Sequence, residues 1–375
     1  METRMSTNLS PPATVADIDD TWLTEALVAA GALPQRSRAR VAGSTELGDG
    51  SGWMCEVAQL DLDFSGDPGS MPRSVVIKIP VDDAGVREML ASARLYEREG
   101  RFFQHAAHQL DDRVPAAHLV IEEPAEGVHV LLIENLEGGR FGDQQAGCNA
   151  ADAENALRTM AALHARFWES PQLVDFDWLP AINFEGNSMG SDLYRMSIDT
   201  FRNKFEDLLD PANALITDTI ADHGRRLLDL LAEPPNTLIH FDFRLDNLYF
   251  PAAVDPDAAA LPVRMIDFQT VSRANPGYDL GYFLTQSLDT EVRRDHEEDL
   301  LGIYVEELAA GGVRGYTLED ARFHYRCGAL YAWITPVFVM ANLDMSNPRA
   351  LDMWKTVVRR CQAAQIDLDL AELIS

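Results

Sequence analysis

The sequence predicts an α+β chain of two lobes: a small antiparallel β N-lobe over residues 15–135 and a larger, mainly α-helical C-lobe over 136–375. Five strand-like segments crowd between about Arg38 and Asn135, with one helical stretch among them. At GGRFGDQQAG, just after Asn135, the character changes, and apolar residues then recur at helical spacing to the C-terminus. Only LIHFDFRLDNLYF (residues 238–250) and PVRMIDFQ (262–269) interrupt that helical half. Strands first and helices afterwards describe segregated layers, not an alternating βαβ fold.

Residues 1–14 read as a mobile, polar, proline-containing tail. Asp17–Ala30 has acidic residues at its start, apolar residues at helical spacing and Gly31 as a stop, so it reads as a helix. ARVAGSTEL and WMCEVAQLDLDF form two strands about a glycine-containing turn, RSVVIKIP a third, and HLVIEE and VHVLLIEN two more. A single long helix is expected from about Ala84 to Leu110. In the second half the helices run at about Asn149–Glu169, Pro211–Leu231, Thr290–Ala310, Leu318–Asn342 and Arg349–Ala364, and GGRFGDQQAG is a linker.

At 375 residues the chain is long enough to bury a substantial core in one large or two coupled domains. Its four cysteines are far apart and form no C-x-x-C pair, so neither a zinc site nor a disulfide framework is indicated, and reduced thiols suit a cytoplasmic location. The N-terminus lacks the apolar core of a signal peptide, and no run approaches the roughly 20 apolar residues of a membrane helix. A net charge of −29 argues against nucleic acid or an anionic membrane as partner. The same charge repels a nucleotide from most of the surface, so a nucleotide site must bring its own cations. Lysine occurs only at 78, 204 and 355. In a chain that otherwise uses arginine, Lys78 in the apolar strand V-V-I-K-I-P needs a reason, because an ammonium there is costly without an anionic partner.

The polar loop supplies the first chemistry. His240, Asp242 and Asn247 form H-x-D-x-x-x-x-N, the spacing by which a phosphotransferase places a base and a metal ligand on one loop. Asp242 is set to orient an attacking hydroxyl and take its proton, Asn247 to reach a metal, and His240 to prop the loop. Asp267 follows the apolar pair Met265–Ile266 and can chelate the Mg²⁺ of a nucleotide. Glu99, three and four residues ahead of Phe102 and Phe103, lies beside the buried face of its helix and is preferred to Glu97 as partner of Lys78. Gly48, Gly50 and Gly52 lie between two strands, where glycines let backbone amides approach phosphate; a plain hairpin turn explains them equally well. Glu134 to Leu136, where VLLIENLEGG leaves its strand, suits a hinge whose backbone meets an adenine edge, as it suits an ordinary strand end.

These residues give the chain a family likeness. HFDFRLDN (240–247), IDFQ (266–269), DLGYFL (279–284), YEREGRFF (96–103) and AALHARFW (161–168) resemble the aminoglycoside phosphotransferase and choline kinase group. Within it they are most similar to the ecdysteroid-kinase-like, or CHK-type, small-molecule kinases. The likeness spans roughly residues 20–345 and implies the two-lobed protein-kinase-like fold. It implies Asp242 as catalytic base, Asn247 and Asp267 as metal holders, Lys78 with Glu99 as the phosphate-positioning pair, and Asp279 as the carboxylate that braces the loop. One departure is Phe241, where the family often has glycine.

The sequence thus points to an ATP- and Mg²⁺-dependent kinase for a small-molecule alcohol. Residues 323–345, rich in Tyr, Trp, Phe, Met and Val, suit a hydrophobic acceptor such as a steroid or terpenoid alcohol. The alternatives are a phosphotransferase that inactivates an aminoglycoside or macrolide, which the acidic surface favours, and a nucleotide-binding pseudokinase, for which Asp242 would be unnecessary.

Overall fold

The computed structural model describes residues 11–47, 54–123, 128–252, 261–343 and 346–374. The chain divides into two compact units, residues 1–137 and 138–375. Gly48, Gly50, Gly52 and most of the N-terminal tail lie outside the described residues.

In the first unit, α1 (Asp20–Ala29) precedes β1 (Arg38–Glu46), β2 (Cys55–Ser65) and β3 (Ser74–Pro80), then α2 (Ala84–Ser92), α3 (Leu95–His105), β4 (Ala117–Glu123) and β5 (Val128–Glu134). The strands form one antiparallel sheet in the order β1-β2-β3-β5-β4. Strand alternation assigns the two faces. Val75, Ile77 and Ile79 of β3 join Leu60, Leu62, Val130 and Leu132 in a core closed by Leu23, Ala26 and Leu27 of α1. Helix α1 is pinned to β1 through Thr24, whose hydroxyl donates to the Ala39 carbonyl and accepts from the Ala39 amide, both at 3.0 Å. Lys78 has the opposite parity and therefore projects from the other face, the one that α3 covers.

The single helix expected at Ala84–Leu110 is two helices followed by short 3-10 turns. Arg94 breaks it by adopting a left-handed φ of 58°. The buried Arg98 stabilises the break by donating to the Ala93 carbonyl at the end of α2, at 2.8 Å. The new direction lays Tyr96, Glu99, Phe102 and Phe103 on the protein side of α3, all of them buried.

The second unit contains β6 (Gly139–Phe141), α4 (Ala150–Phe167), α5 (Gln172–Asp175), α6 (Glu185–Phe205), α7 (Ala214–Ala232), β7 (Thr237–Ile239), β8 (Leu248–Pro251), β9 (Arg264–Met265) and β10 (Ser272–Ala274). It continues with α8 (Gly277–Ser287), α9 (Thr290–Ala310), α10 (Leu318–Ala332), α11 (Ile334–Asn342) and α12 (Pro348–Asp367). Strands β6, β8 and β9 form one small sheet, and β7 with β10 another.

Four sequence expectations change here. GGRFGDQQAG is no mere linker: Gly139–Phe141 pairs with β8, and Gln144 then props the polar loop, its Oε1 accepting from the Leu245 amide at 2.9 Å. Helices α6 and α8 were not expected; α6 contains two glycines, three serines and two asparagines, which weaken its helical pattern. The expected helix Leu318–Asn342 is interrupted at Trp333, because Pro336 has no amide for the carbonyl four residues back. Finally, the described residues of 323–345 are mostly interior: Tyr325, Leu330, Trp333, Val337 and Met340 are buried in the core of the helical unit. Among the described residues, no helix is long and apolar enough to cross a membrane.

Candidate active site

The polar loop between β7 and β8 is built around one buried carboxylate. Asp279, fully buried on α8, accepts from the His240 amide at 2.7 Å and from the Phe241 amide at 2.9 Å. Its Oδ2 also meets His164 Nε2 at 3.2 Å, and His164 Nδ1 lies 2.7 Å from the Tyr304 hydroxyl. Because a carboxylate only accepts, Nε2 donates to Asp279, and Nδ1 accepts from the Tyr304 hydroxyl. A buried charge is tolerable when its lone pairs are filled in this way. His164 and Tyr304 escaped the sequence reading. His164 stands inside the AALHARFW motif, but nothing local distinguishes it from any helix histidine.

Phe241 sits at φ 70°, in the left-handed region where glycine is favoured. The departure from the family pattern thus falls on a strained residue, at a cost of about 1–2 kcal/mol. The two Asp279 hydrogen bonds hold that conformation. So does the Phe241 ring, stacked on Tyr278 with centroids 4.3 Å apart and planes 18° off parallel.

His240 links the loop to the strand before Asp267. Its Nδ1 accepts from the Asp242 amide at 3.3 Å, and its Nε2 donates to the Ile266 carbonyl at 3.0 Å. Both contacts use one neutral tautomer, so the geometry asks His240 to orient and not to exchange protons. Asp242 has each oxygen engaged: the Tyr282 hydroxyl donates to Oδ1 at 3.0 Å and Asn247 Nδ2 to Oδ2 at 2.9 Å. Burial, and then the charge of Asp242, pushes the Tyr282 phenol far above its ordinary value, so it stays a donor. Tyr282 is a third residue that the sequence did not single out.

Asn247 Nδ2 also donates to the Asp242 carbonyl at 3.0 Å, which turns the amide and leaves Oδ1 as the oxygen available to a cation. The Ile266 amide donates to the Asn247 carbonyl at 3.0 Å, so the residue before Asp267 is tied to Asn247. Asp267 itself adopts φ 65°, a conformation that aspartate tolerates better than most residues. One carboxylate and one amide oxygen are hard donors that fit magnesium, which keeps several waters and takes its remaining ligands from substrate phosphates. No larger group of His, Cys, Asp or Glu suited to a metal is found among the described residues. Arg244 lies among these acids, 2.9 Å from Asp246. Burial lowers its pKa, but Asp242, Asp246, Tyr282 and Asp267 outweigh that and keep the guanidinium charged.

The first unit holds the other expected group. Lys78 Nζ lies 3.0 Å from Glu99 Oε1 and 2.9 Å from Oε2, with Glu99 almost wholly buried. Burial pushes the Glu99 carboxyl up, yet Lys78 and His129 overcome this and bring it to about 2. Glu97 instead pairs with Arg94 at 2.7 Å. At the expected hinge, the Glu134 amide already donates to Ala116 at 2.8 Å, while Leu136 is half-buried just past the strand.

A model of the ecdysteroid kinase-like family matches residues 49–312, more than half of the chain. The chain belongs to the ecdysteroid kinase-like family. It is therefore a small-molecule kinase. No curated protein matches its sequence. Among solved structures, this family member is similar to choline kinase from Cryptosporidium parvum Iowa II, with a TM-score of 0.53, 9% identity, and coverage of 92% of this chain and 97% of that one. It is also similar to the GDP complex of aminoglycoside 2'-phosphotransferase-IIIa, with a TM-score of 0.53, 14% identity, and coverage of 93% and 99%. Plasmodium vivax ethanolamine kinase gives a TM-score of 0.50, 12% identity, and coverage of 86% and 81%. At these identities the likeness is one of fold: an antiparallel five-stranded sheet followed by a mainly helical region.

Proposed function

We propose that the chain transfers the γ-phosphate of ATP, with Mg²⁺, to the hydroxyl of a small hydrophobic alcohol, of the steroid or terpenoid class. The observation that carries the reading is the setting of Asp242. Its carboxylate is fixed by Tyr282 and Asn247 beside an aromatic stack of Phe241, Tyr278 and Tyr282. Tyr331 meets Tyr278 edge-on at 6.0 Å.

In this reading Asp242 accepts the proton of the acceptor hydroxyl as that hydroxyl's oxygen attacks the γ-phosphorus and the bond to the β-γ bridging oxygen breaks, releasing ADP. Tyr282 and Asn247 hold the carboxylate in one rotamer by donating to it. Phe241 offers the acceptor an apolar wall. Lys78, fixed by Glu99, contacts the α- and β-phosphates. Asn247 and Asp267 would hold magnesium, which when bound would neutralise phosphate charge. GDP bound to a relative of the same fold supports a nucleotide as donor.

The test is ADP release with Mg²⁺ and ATP across sterols, terpenoid alcohols, amino alcohols and aminoglycosides. Turnover is expected with the lipophilic alcohols. Turnover of kanamycin-type compounds alone would establish an antibiotic phosphotransferase instead, a reading that the net charge of −29 favours. Binding of MgATP without turnover of any acceptor would make the chain a pseudokinase.

A further inference from the structure

The sheet face behind Lys78 holds more charge than the reading above uses. His129 stands two residues from Leu131, which is the register partner of Lys78, so both project from the same face. Glu122 is directly opposite His129 across the β4–β5 ladder. His129 Nδ1 lies 2.7 Å from Glu122 Oε2, and His129 Nε2 lies 3.6 Å from Glu99 Oε2, at ion-pair range. The side chains of His129, Glu122 and Glu99 are each no more than 2% exposed. The result is a buried row of alternating charge, Lys78–Glu99–His129–Glu122, in which Tyr96 stacks on the imidazole at 5.7 Å.

A glycine marks this row independently. Gly100 lies inside α3, where glycine costs about 1 kcal/mol against alanine. A Cβ there would collide with the Glu122 carboxylate. The helix gives up its best residue type so that Glu122 can reach His129.

We propose that His129 is a positioning residue for the phosphate-contacting lysine: bridged by Glu122 to the sheet, it fixes Glu99 and, as the second cation of the row, keeps the charge around Lys78 balanced for a nucleotide. The inference rests on the assignment of Lys78 to the phosphates. The row holds two cations and two carboxylates, and loss of the His129 proton makes it one charge more negative. The facing groups are Lys78 from β3, Glu122 from β4, and Tyr96, Glu97, Glu99 and Arg101 from α3. Burial lowers the His129 pKa, but Glu122 and Glu99 outweigh it and lift it to about 9. Because this lies above its ordinary 6.5, the stabilisation it gives is complete below about pH 6.5 and disappears as pH rises through about 9.

The test measures MgATP affinity by calorimetry, and thermal melting, from pH 6 to 10 in the full chain. Wild type should lose both affinity and melting temperature as pH passes about 9. His129→Gln should bind MgATP about tenfold more weakly at pH 7, the scale of one charge acting across one intervening side chain, and should lack that alkaline limb. Glu122→Gln keeps the shape of the pair but removes an anion, so the limb should move to lower pH. If the His129 variant does not fold, Glu122→Gln decides; if neither folds, Gly100→Ala decides, since it displaces Glu122 without removing any charge and should shift the limb the same way. Lys78→Met separates the two ideas. If Lys78→Met binds MgATP like wild type, the phosphate assignment fails. If it loses binding while the His129 and Glu122 variants keep wild-type affinity and an unmoved limb, the positioning role of His129 is overturned.

Discussion

The loop that presents Asp242 and the sheet face that presents Lys78 both keep ionised groups away from water, by opposite constructions. The loop is held mainly by backbone: Asp279 collects two consecutive amides, and His240 ties the loop to the Ile266 carbonyl. The sheet face is held by side chains alone, a row of cations and anions supplied by β3, α3, β5 and β4. A carboxylate fed by amides needs only a local turn and one helix. A row of ion pairs needs the register of three strands and the correct helical face, and every member is uncompensated if its neighbour is lost. The loop should therefore fail by losing chemistry, and the sheet face by losing electrostatic balance.

Six substitutions sharpen that contrast. The largest effect is expected from Asp242→Asn, which should lower kcat by about 10²–10⁴ while leaving MgATP affinity within a few fold. Steady-state kinetics beside calorimetry checks this, and equal loss in both would make Asp242 a structural residue. Next, Asp279→Ala strands two buried amides and His164, and should destabilise the chain by about 3–5 kcal/mol in urea unfolding. A smaller loss would mean that the loop does not depend on its brace. Lys78→Arg keeps the charge but replaces a compact ammonium with a planar fork in a nearly closed site, so kcat/KM for ATP should fall about 100-fold. Near-normal activity would remove Lys78 from the phosphate site. On the same helix, Glu99→Gln should be damaging and Glu97→Gln almost silent, since Glu97 is held by Arg94 instead of Lys78. The smallest effect is expected from Phe241→Gly. It relieves a left-handed φ but loses the Tyr278 stack, so stability should change by no more than about 1 kcal/mol. Its expected signature is a raised KM for lipophilic alcohols alone, read against a short polar alcohol.

The same contrast explains what could be read from the sequence. His240, Asp242, Asn247 and Asp267 lie within one stretch of chain, where spacing is itself geometry, and Glu99 followed from helical phase against Phe102 and Phe103. Asp279 came from the family likeness. His129 and Glu122 could not be found in this way. Their meeting depends on the β4–β5 register, and a histidine in an apolar strand offers no local sign of its partner. Gly100 inside a helix was the one visible clue. Tyr282 and His164 were hidden for a related reason, since each acts from a helix on a carboxylate far away in sequence, Asp242 and Asp279. The helix breaks at Arg94 and Trp333 also escaped: the first depends on a tertiary cap from Arg98, and at the second the proline lies three residues beyond the break.

The contact between α8 and α10 has a further consequence. A Cβ on Gly281 would strike the backbone of Gly328 and Ala329, and one on Gly328 would strike that of Gly277. The helix carrying Asp279, Tyr278 and Tyr282 therefore rests backbone to backbone on its neighbour, with no play beneath it. A bulkier acceptor cannot be admitted by letting this support recede. Selection for a new acceptor should accordingly spare Gly277, Gly281 and Gly328 and accumulate changes at Phe241, the half-buried ring whose partner Tyr278 is already immobile. Sequencing variants chosen for turnover of larger alcohols would show which positions moved.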